Sequence, residues 1–264
     1  MNGKKLKFEA LISCLYANPI AIIKSSNIRC NVLLINQCDE EKTISFPNPL
    51  NKKNTVRVIN SKTRGLSVSR NLALMHSNAD IVKLCDDDEY FEDDIEENII
   101  NTHESENSDI IIFNVNSPRK NFFSNKPSSI NKLQALKFGS WQITFKLSSI
   151  MNQVSFNHNF GSGAKISSGE ENLFLFDCLN KSLKIKYIPI LVSSVSQVKS
   201  NWFKGYNDKY FYDKGVLSKK LFGNFKYIYI IYFVIFKHKI YKNDNSFFRA
   251  LKKIYEGANS RLEN

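Results

Sequence analysis

The sequence predicts an α/β fold, with a mainly parallel but mixed β-sheet flanked by helices, followed by a basic and aromatic C-terminal extension. Short apolar runs alternate with segments of helical periodicity through the first 190 residues, a pattern typical of a sheet with crossover helices. The pattern then changes to Ser-, Lys- and Asn-rich sequence with clustered aromatics. We therefore expect a domain over 1–190 and an extension, mainly helical, over 191–264. A chain of 264 residues, 42% hydrophobic and 23% charged, can bury a sizeable core.

Seven apolar runs are predicted to be buried strands, because each is short and ends at polar or turn residues. In chain order they cover 10–14, 32–35, 56–59, 81–85, 110–115, 143–147 and 185–188. Helical periodicity is found between several of them, at 19–27, 66–76, 92–103, 129–138 and 169–179. Strands joined by such helices are usually parallel.

The strand predicted at 81–85 ends in three consecutive carboxylates, Asp86, Asp87 and Asp88. In an extended chain, Asp86 and Asp88 project to one side and Asp87 to the other. Like charges about 5 Å apart repel by roughly 3 kcal/mol at an effective dielectric constant near 20, so a cation is expected beside them. Carboxylate oxygens favour Mg²⁺ or Mn²⁺. The alternative is an acidic surface loop that opens the next helix.

A second polar segment, NSKTRGLSVSRN at 60–71, precedes this strand. Gly65 and Ser67 form a turn that opens a helix, and Arg64 and Arg70 surround that turn. Free backbone N–H groups, the helix dipole and basic side chains together favour an anionic diphosphate. The alternative is an ordinary helix start whose arginines balance the acidic stretch.

In this order the two segments, RGLSVSRNLAL and then ADIVKLCDDDEYF, resemble the signature of GT-A-fold, family-two inverting glycosyltransferases. In that family a Gly-x-Ser-x-x-Arg-Asn helix precedes a strand that ends in a metal-binding DxD motif. FGSGA at 160–164 and GEENLF at 169–174 are similar to the family's acceptor-side Gly-Glu-Asp motif. The resemblance covers about residues 8–190, and it is closest to bacterial enzymes that build capsule or lipopolysaccharide glycans. It implies a GT-A, Rossmann-like fold.

The resemblance also implies a nucleotide-sugar donor site at the carboxyl ends of the strands. Asp86 would face the ribose or the uracil, and Asp88, together with Asp86, would ligate a divalent ion, Mn²⁺ or Mg²⁺, that bridges the diphosphate. The other residues expected beside the nucleotide are Asn36, Gln37 and Asp39 near the base, and Arg64, Arg70 and Asp87.

On the acceptor side, Glu171 falls where the family has its catalytic base, and its neighbour Glu170 is the second candidate for that role. Such a base would take the acceptor hydroxyl proton on the face opposite the leaving group, which inverts the anomeric centre. The alternative for both glutamates is a favourable place in the first turn of a helix. No Gln-x-x-Arg-Trp motif of the processive synthases follows, so transfer of a single sugar is implied.

The C-terminal part of the chain carries all of its net positive charge. Residues 181–264 hold 17 Lys and Arg against 5 Asp and Glu, which accounts for the entire net charge of +12. Phe247, Leu251, Ile254 and Tyr255 recur at helical spacing and predict an amphipathic helix. The extension could meet an anionic membrane through Phe247, Leu251 and Ile254, bind nucleic acid, or pack its aromatics on the first domain. The glycan interpretation agrees with the membrane, so nucleic acid is not expected as a partner.

Together these features predict a metal-dependent transfer of one sugar from a nucleotide-sugar, first of all a UDP-sugar, to a saccharide or lipid-linked acceptor. Two alternatives remain: a nucleotidyltransferase, and a non-enzymatic basic module that binds nucleic acid or anionic membrane. The five cysteines are scattered and include no CxxC pair. With no apolar run of about 20 residues and no signal-peptide pattern, we expect a cytoplasmic protein, peripheral on the inner face of the plasma membrane.

Overall fold

The computed structural model describes residues 5–118, 122–195 and 203–261. Contacts between Cα atoms divide the chain into two compact units. The described residues of 1–158 and 170–198 form the first unit, and those of 159–169 and 199–264 form the second. The domain boundary expected near residue 190 is close to the last of these divisions, between residues 198 and 199. Residues 196–202 lie outside the described part of the chain.

One mixed sheet organises the first unit, and its strand order is β3-β4-β2-β1-β5-β9-β7-β10-β6, with β8 paired to β10. The strands are β1 (Phe8–Leu15), β2 (Asn31–Gln37), β3 (Lys42–Asn48), β4 (Asn51–Ser61), β5 (Ile81–Cys85), β6 (Glu89–Phe91), β7 (Ile110–Asn116), β8 (Ser128–Ser129), β9 (Ile143–Lys146) and β10 (Ile185–Val195). Because β4, β2, β1 and β5 are parallel neighbours, their carboxyl ends lie along one edge. The predicted α/β fold with a mixed sheet is confirmed.

Helices flank this sheet at the places where helical periodicity predicted most of them. They are α1 (Pro19–Ser25), α2 (Leu66–His76), α3 (Ile95–Ser105), α4 (Lys132–Ala135), α5 (Leu147–Ile150) and α6 (Glu170–Asn180), with a 3-10 turn at Ser140–Gln142. Helix α2 begins after Gly65, whose φ of +108° lies in the left-handed region that favours glycine. The side chain of Asn18 caps α1 by accepting from the N–H groups of Ile20 and Ala21.

The core of the first unit includes strand residues that are buried on both faces of the sheet. Ile12 and Leu34 on one face, and Leu11 and Leu33 on the other, are at most 2% exposed, which agrees with the continuous apolar runs in the sequence. Antiparallel pairings are more frequent than the alternation of strands and helices predicted: β9 lies antiparallel to both β5 and β7, and β3 forms a hairpin with β4. All five cysteines are buried and free.

The second unit is helical in its C-terminal part. Its helices are α7 (Asp208–Phe222), α8 (Lys226–Phe236), α9 (His238–Tyr241) and α10 (Phe247–Asn259), with a 3-10 turn at Gly223–Phe225. Helices α7 and α10 approach closely at two glycines: a Cβ at Gly215 would lie 2.0 Å from the Ile254 carbonyl oxygen, and one at Gly257 would lie 2.0 Å from that of Tyr212. None of the described helices combines the length and the apolarity needed to cross a membrane.

The core of the second unit contains the apolar face of α10. Ile254 is fully buried there together with Phe211 and Tyr241, and Phe247 and Leu251 pack against this cluster. The amphipathic helix predicted from these residues is confirmed. The membrane contact predicted for Phe247, Leu251 and Ile254 is corrected, because their side chains are used for packing within the unit.

Candidate active site

The buried side-chain amides of Asn36 and Gln37 lie at the carboxyl end of β2. The Asn36 side chain accepts a hydrogen bond from the Ala17 N–H at 3.1 Å and donates to Asn60 Oδ1 at 3.2 Å. The Gln37 side chain accepts from the Gly65 N–H at 2.8 Å. Both residues are only 7% exposed. Asn36 and Gln37, which were predicted to contact the nucleotide, therefore connect the ends of β1 and β4 with the start of α2. Their buried side chains lie beneath the surface of the candidate site.

Asp39 lies at the surface in a cluster with Tyr16 and Arg64. Its Oδ1 accepts from the Tyr16 hydroxyl and from the Arg64 guanidinium, each at 2.7 Å. The guanidinium also lies 5.3 Å from the centre of the Tyr16 ring and donates to the carbonyls of residue 38 and of 61–63. Many contacts thus fix Arg64 and Asp39 in place. Tyr16 was not predicted from the sequence, although an aromatic residue directly after a buried strand is a usable signal.

The buried side chain of Arg70 joins the two acidic segments of the sequence. Arg70 is 3% exposed; its Nη1 donates to Glu170 Oε1 at 3.0 Å and its Nη2 to Asp86 Oδ1 at 3.2 Å. Its guanidinium lies 5.5 Å from the centre of the Phe156 ring. Because arginine stays protonated in proteins, this side chain holds both carboxylates by charge as well as by hydrogen bonds. The end of β5 and the start of α6 are thereby brought into one site.

The aspartate triplet forms a turn. The prediction that Asp86 and Asp88 project to one side of an extended chain is therefore corrected. β5 ends immediately before the triplet, Asp87 and Asp88 lie in the turn, and β6 begins directly after it. Asp86 is partly buried, whereas Asp87 and Asp88 are exposed. Partial loss of hydration, and then the charges of Asp86 and Asp88, raise the pKa of Asp87. Partial loss of hydration and the charge of Asp86 raise the pKa of Asp88.

A cavity of about 530 Å³ opens beside this turn, and its wall includes Asp87, Asp88, Tyr90 and Asn116. The donor set consists of hard carboxylate oxygens whose mutual repulsion a cation would relieve, so it fits Mg²⁺ or Mn²⁺. Mg²⁺ typically binds one or two protein carboxylates and completes its shell with water and phosphate. Within the described ranges, no group of three His, Cys, Asp or Glu side chains is arranged to hold a metal ion.

A buried ion pair lies behind the acidic turn. Lys83 and Glu89 are 0% and 1% exposed, and the Lys83 ammonium donates to Glu89 and, at 2.6 Å, to the Trp141 carbonyl. Glu89 also accepts from the Ser193 hydroxyl on β10. Burial raises the pKa of Glu89 to about 7 in spite of the neighbouring Lys83. Because the pair joins residues on both sides of the triplet, it fixes the base of the turn.

Helix α6 begins with Glu170 and Glu171, and the two side chains differ in their surroundings. Glu170 is buried against Arg70. Burial, and then the charge of Glu171, raise the pKa of Glu170 to about 8 against the attraction of Arg70. Glu171 is only partly buried. Glu171 is therefore partly open to solvent, whereas Glu170 is engaged with Arg70.

Asn71 fixes the loop that places Phe156 beside Arg70. Its Nδ2 donates to the Phe156 carbonyl and its Oδ1 accepts from the Phe156 N–H, both at 2.8 Å. The same Nδ2 lies 2.8 Å from Nε2 of the exposed His158. Asn71 and Phe156 were not predicted from the sequence to have a role, although the Arg-Asn pair in α2 was the available signal.

Comparisons with known proteins agree on the fold. The family model described as Glycosyl transferase family 2 matches residues 20–173, and no curated protein matches the chain significantly. A crystal structure of residues 1–349 of S. aureus TarS has a TM-score of 0.58 at 12% identity, and the match covers 81% of this chain and 65% of that one. The same fragment with UDP-GlcNAc has a TM-score of 0.61 at 12% identity, over 81% and 66% of the two chains. The match covers 39% of a longer TarS chain, with a TM-score of 0.57 at 12% identity. This chain therefore spans less than two thirds of those proteins.

Proposed function

The chain belongs to glycosyl transferase family 2, and we propose that it transfers one sugar from a nucleotide-sugar to a hydroxyl group of a saccharide or lipid-linked acceptor. The Arg70 bridge carries this proposal. It ties Asp86, at the acidic turn expected to hold the donor, to Glu170, beside the glutamate expected to act as the base. A direct displacement needs these groups close together and oriented. Family membership favours this activity over the nucleotidyltransferase and the non-enzymatic module.

We propose that the nucleotide lies along the carboxyl ends of β1, β2 and β5. Tyr16 and Asp39, held by Arg64, offer an exposed ring and a carboxylate to the base and the ribose. Asn36 and Gln37 support this surface from below. S. aureus TarS was crystallised with UDP-GlcNAc and with UDP, so UDP-sugars are the first donors to test.

Asp88 and Asp86 are the residues we propose to hold Mn²⁺ or Mg²⁺. Asp87, in the same turn, is proposed to lie beside the nucleotide. A bound divalent ion would stabilise the negative charge that develops on the leaving diphosphate. Arg70 orients Asp86, and the buried pair of Lys83 and Glu89 fixes the turn from behind. The protein thus sets the carboxylates in place before the donor binds.

The transfer itself is proposed as one displacement. The acceptor oxygen bonds to the anomeric carbon while the bond from that carbon to the diphosphate oxygen breaks, which inverts the configuration. The carboxylate of Glu171 takes the proton of the acceptor hydroxyl. Glu170 does not take part in proton transfer, because its pairing with Arg70 makes it a positioning residue.

We propose that the product is a bacterial surface glycan of the capsule or lipopolysaccharide type, made on the cytoplasmic side of the membrane. The resemblance of the two motif segments to such enzymes supports this role. The basic C-terminal extension supports a peripheral position at an anionic bilayer, where a lipid-linked acceptor would be found.

The test is release of nucleoside diphosphate from a panel of UDP- and GDP-sugars in the presence of Mn²⁺ and bacterial lipid extract. We expect turnover of at least one donor, lowered about 10²- to 10⁴-fold by Glu171→Gln, the usual effect of removing a general base. Glu97→Gln is the matched control, because Glu97 is an exposed glutamate in the first turn of α3. Equal losses in both variants would contradict the role of Glu171, and no release from any donor would contradict the transferase.

A further inference from the structure

Helix α8 is apolar on both of its faces, and only one face is covered. The inward face carries Ile230, Phe233 and Val234, which lie in the core of the second unit. The opposite face carries four residues at i, i+3, i+4 and i+7, each at least 50% exposed: Ile228, Ile231, Tyr232 and Ile235. We call these four residues the outer stripe.

The outer stripe belongs to a larger exposed apolar surface. Phe225 just before α8, and Phe236 and Ile240 after the stripe, are each more than half exposed. A helix of a globular protein normally turns a polar face to water. A contiguous apolar patch at the surface marks a place where another molecule binds.

The segment of the chain that carries this surface holds charge of one sign only. Residues 214–243 contain seven lysines and no Asp or Glu. Lys226 and Lys237 stand at the two ends of α8, and Lys239 and Lys242 are exposed shortly after it. An apolar face bordered by lysines is complementary to a bilayer that contains anionic lipid.

We propose that the outer stripe is a membrane-docking surface for bilayers that contain anionic lipid. With 11 residues, α8 is about 16 Å long, roughly half the thickness of a hydrocarbon core, so it would lie in the interface instead of crossing it. The ring of Tyr232 suits the boundary between headgroups and acyl chains. A second copy of the chain fits less well, because a symmetric contact would set the lysines of one copy against those of the other.

This surface is separate from the residues that sequence periodicity selected, since Phe247, Leu251 and Ile254 pack in the core. Only the use of the docking rests on the proposed function: it would bring the enzyme to a lipid-linked acceptor. Binding to lipid is measured without donor or acceptor, so its failure would remove the peripheral membrane position but not the proposed sugar transfer, and the two failures are distinguishable.

The experiment is co-sedimentation of the full chain with vesicles of phosphatidylcholine containing about 30 mol% phosphatidylglycerol, compared with pure phosphatidylcholine. We expect binding to the anionic vesicles that weakens in about 0.5 M NaCl. Ile231→Asn combined with Ile235→Asn should lower the partition coefficient at least about tenfold, because two apolar side chains are lost from the interface. Lys239→Gln combined with Lys242→Gln should lower it by up to about 30-fold, at about 1 kcal/mol for each lysine.

Leu133→Asn is the matched control, because Leu133 is an apolar residue of α4 in the first unit that is 68% exposed; its binding should equal that of wild type. Circular dichroism checks that every variant is folded. Equal binding by the outer-stripe variant and wild type, or no binding by wild type, would overturn the proposal. So would self-association of wild type that the outer-stripe substitutions abolish, without vesicle binding, since the surface would then join two copies.

Discussion

Replacement of Arg70 by Met tests whether one buried guanidinium organises the active site. Arg70 is 3% exposed and donates to Asp86 at 3.2 Å and to Glu170 at 3.0 Å. Methionine keeps an apolar stem of similar shape and removes the charge. Two carboxylates would then share the site without this counter-ion. Removal of one partner of a buried ion pair costs about 3–5 kcal/mol in the free energy of unfolding.

The cost has a defined pH dependence. Burial and Glu171 already raise the pKa of Glu170 to about 8, and loss of Arg70 removes the attraction that opposes this rise. A carboxyl whose pKa is higher in the folded than in the unfolded state lowers stability as the pH rises from the unfolded value through the folded one. In wild type this loss ends near pH 8, whereas in Arg70→Met it continues above it. The extra loss of unfolding free energy in the variant should therefore grow only above about pH 8, by at most about 1.4 kcal/mol per pH unit, or about 1 kcal/mol between pH 6 and pH 9.

The assay is urea unfolding at these two pH values, combined with UDP binding in the presence of Mn²⁺. Arg57→Met is the control, because Arg57 pairs with the buried Glu9 at 2.8 Å and neither residue belongs to the proposed site. Both variants should lose stability, and only Arg70→Met should lose UDP binding. The reasoning is refuted if Arg70→Met lowers the free energy of unfolding by less than about 1 kcal/mol, the contribution of an exposed ion pair. It is also refuted if the loss is the same at both pH values.

Two further substitutions test the packing on which the site and the second unit depend. Lys83→Met should cost about 3–5 kcal/mol because it leaves Glu89 buried without its partner, and a double variant that also carries Glu89→Leu should recover most of that loss. Thermal unfolding measures both, and a double variant less stable than Lys83→Met would count against this assignment. Gly215→Ala should destabilise the second unit by about 1–3 kcal/mol, because its Cβ would lie 2.0 Å from the Ile254 carbonyl oxygen. Hydrogen exchange of α7 and α10 that matches wild type would disprove the close approach.

The central strands could be predicted from the sequence because burial on both faces leaves continuous apolar runs. The strand predicted at 81–85 begins and ends where β5 does. β3 (Lys42–Asn48) was missed because most of its residues are exposed, so no apolar run marks it. The direction of β9 was not predictable either, since an apolar run does not encode which neighbours the strand pairs with.

The candidate site could be predicted only in part. The sequence placed the aspartates at the carboxyl end of a strand, and β5 ends directly before them, whereas Arg70 reaches Asp86 from within α2. The contact between Arg70 and Glu170 joins residues 100 positions apart, and no local pattern contains it. The apolar run at 227–236 is visible in the sequence, but a continuous run cannot show which face of α8 is covered. Tyr16 was overlooked because its role depends on Asp39, which comes from another strand end.

Binding of UDP and Mn²⁺ by wild type and Asp88→Ala tests most directly the claim that the acidic turn holds the donor diphosphate with a cation. At about 100 times its Kd, UDP should stabilise wild type by about 2.7 kcal/mol, or roughly 5 to 10 °C in thermal unfolding. We expect a shift that requires Mn²⁺, disappears in Asp88→Ala and remains in Asp93→Ala, where an exposed aspartate near the start of α3 is removed. An undiminished shift in Asp88→Ala, or one that does not depend on the metal, would contradict the claim.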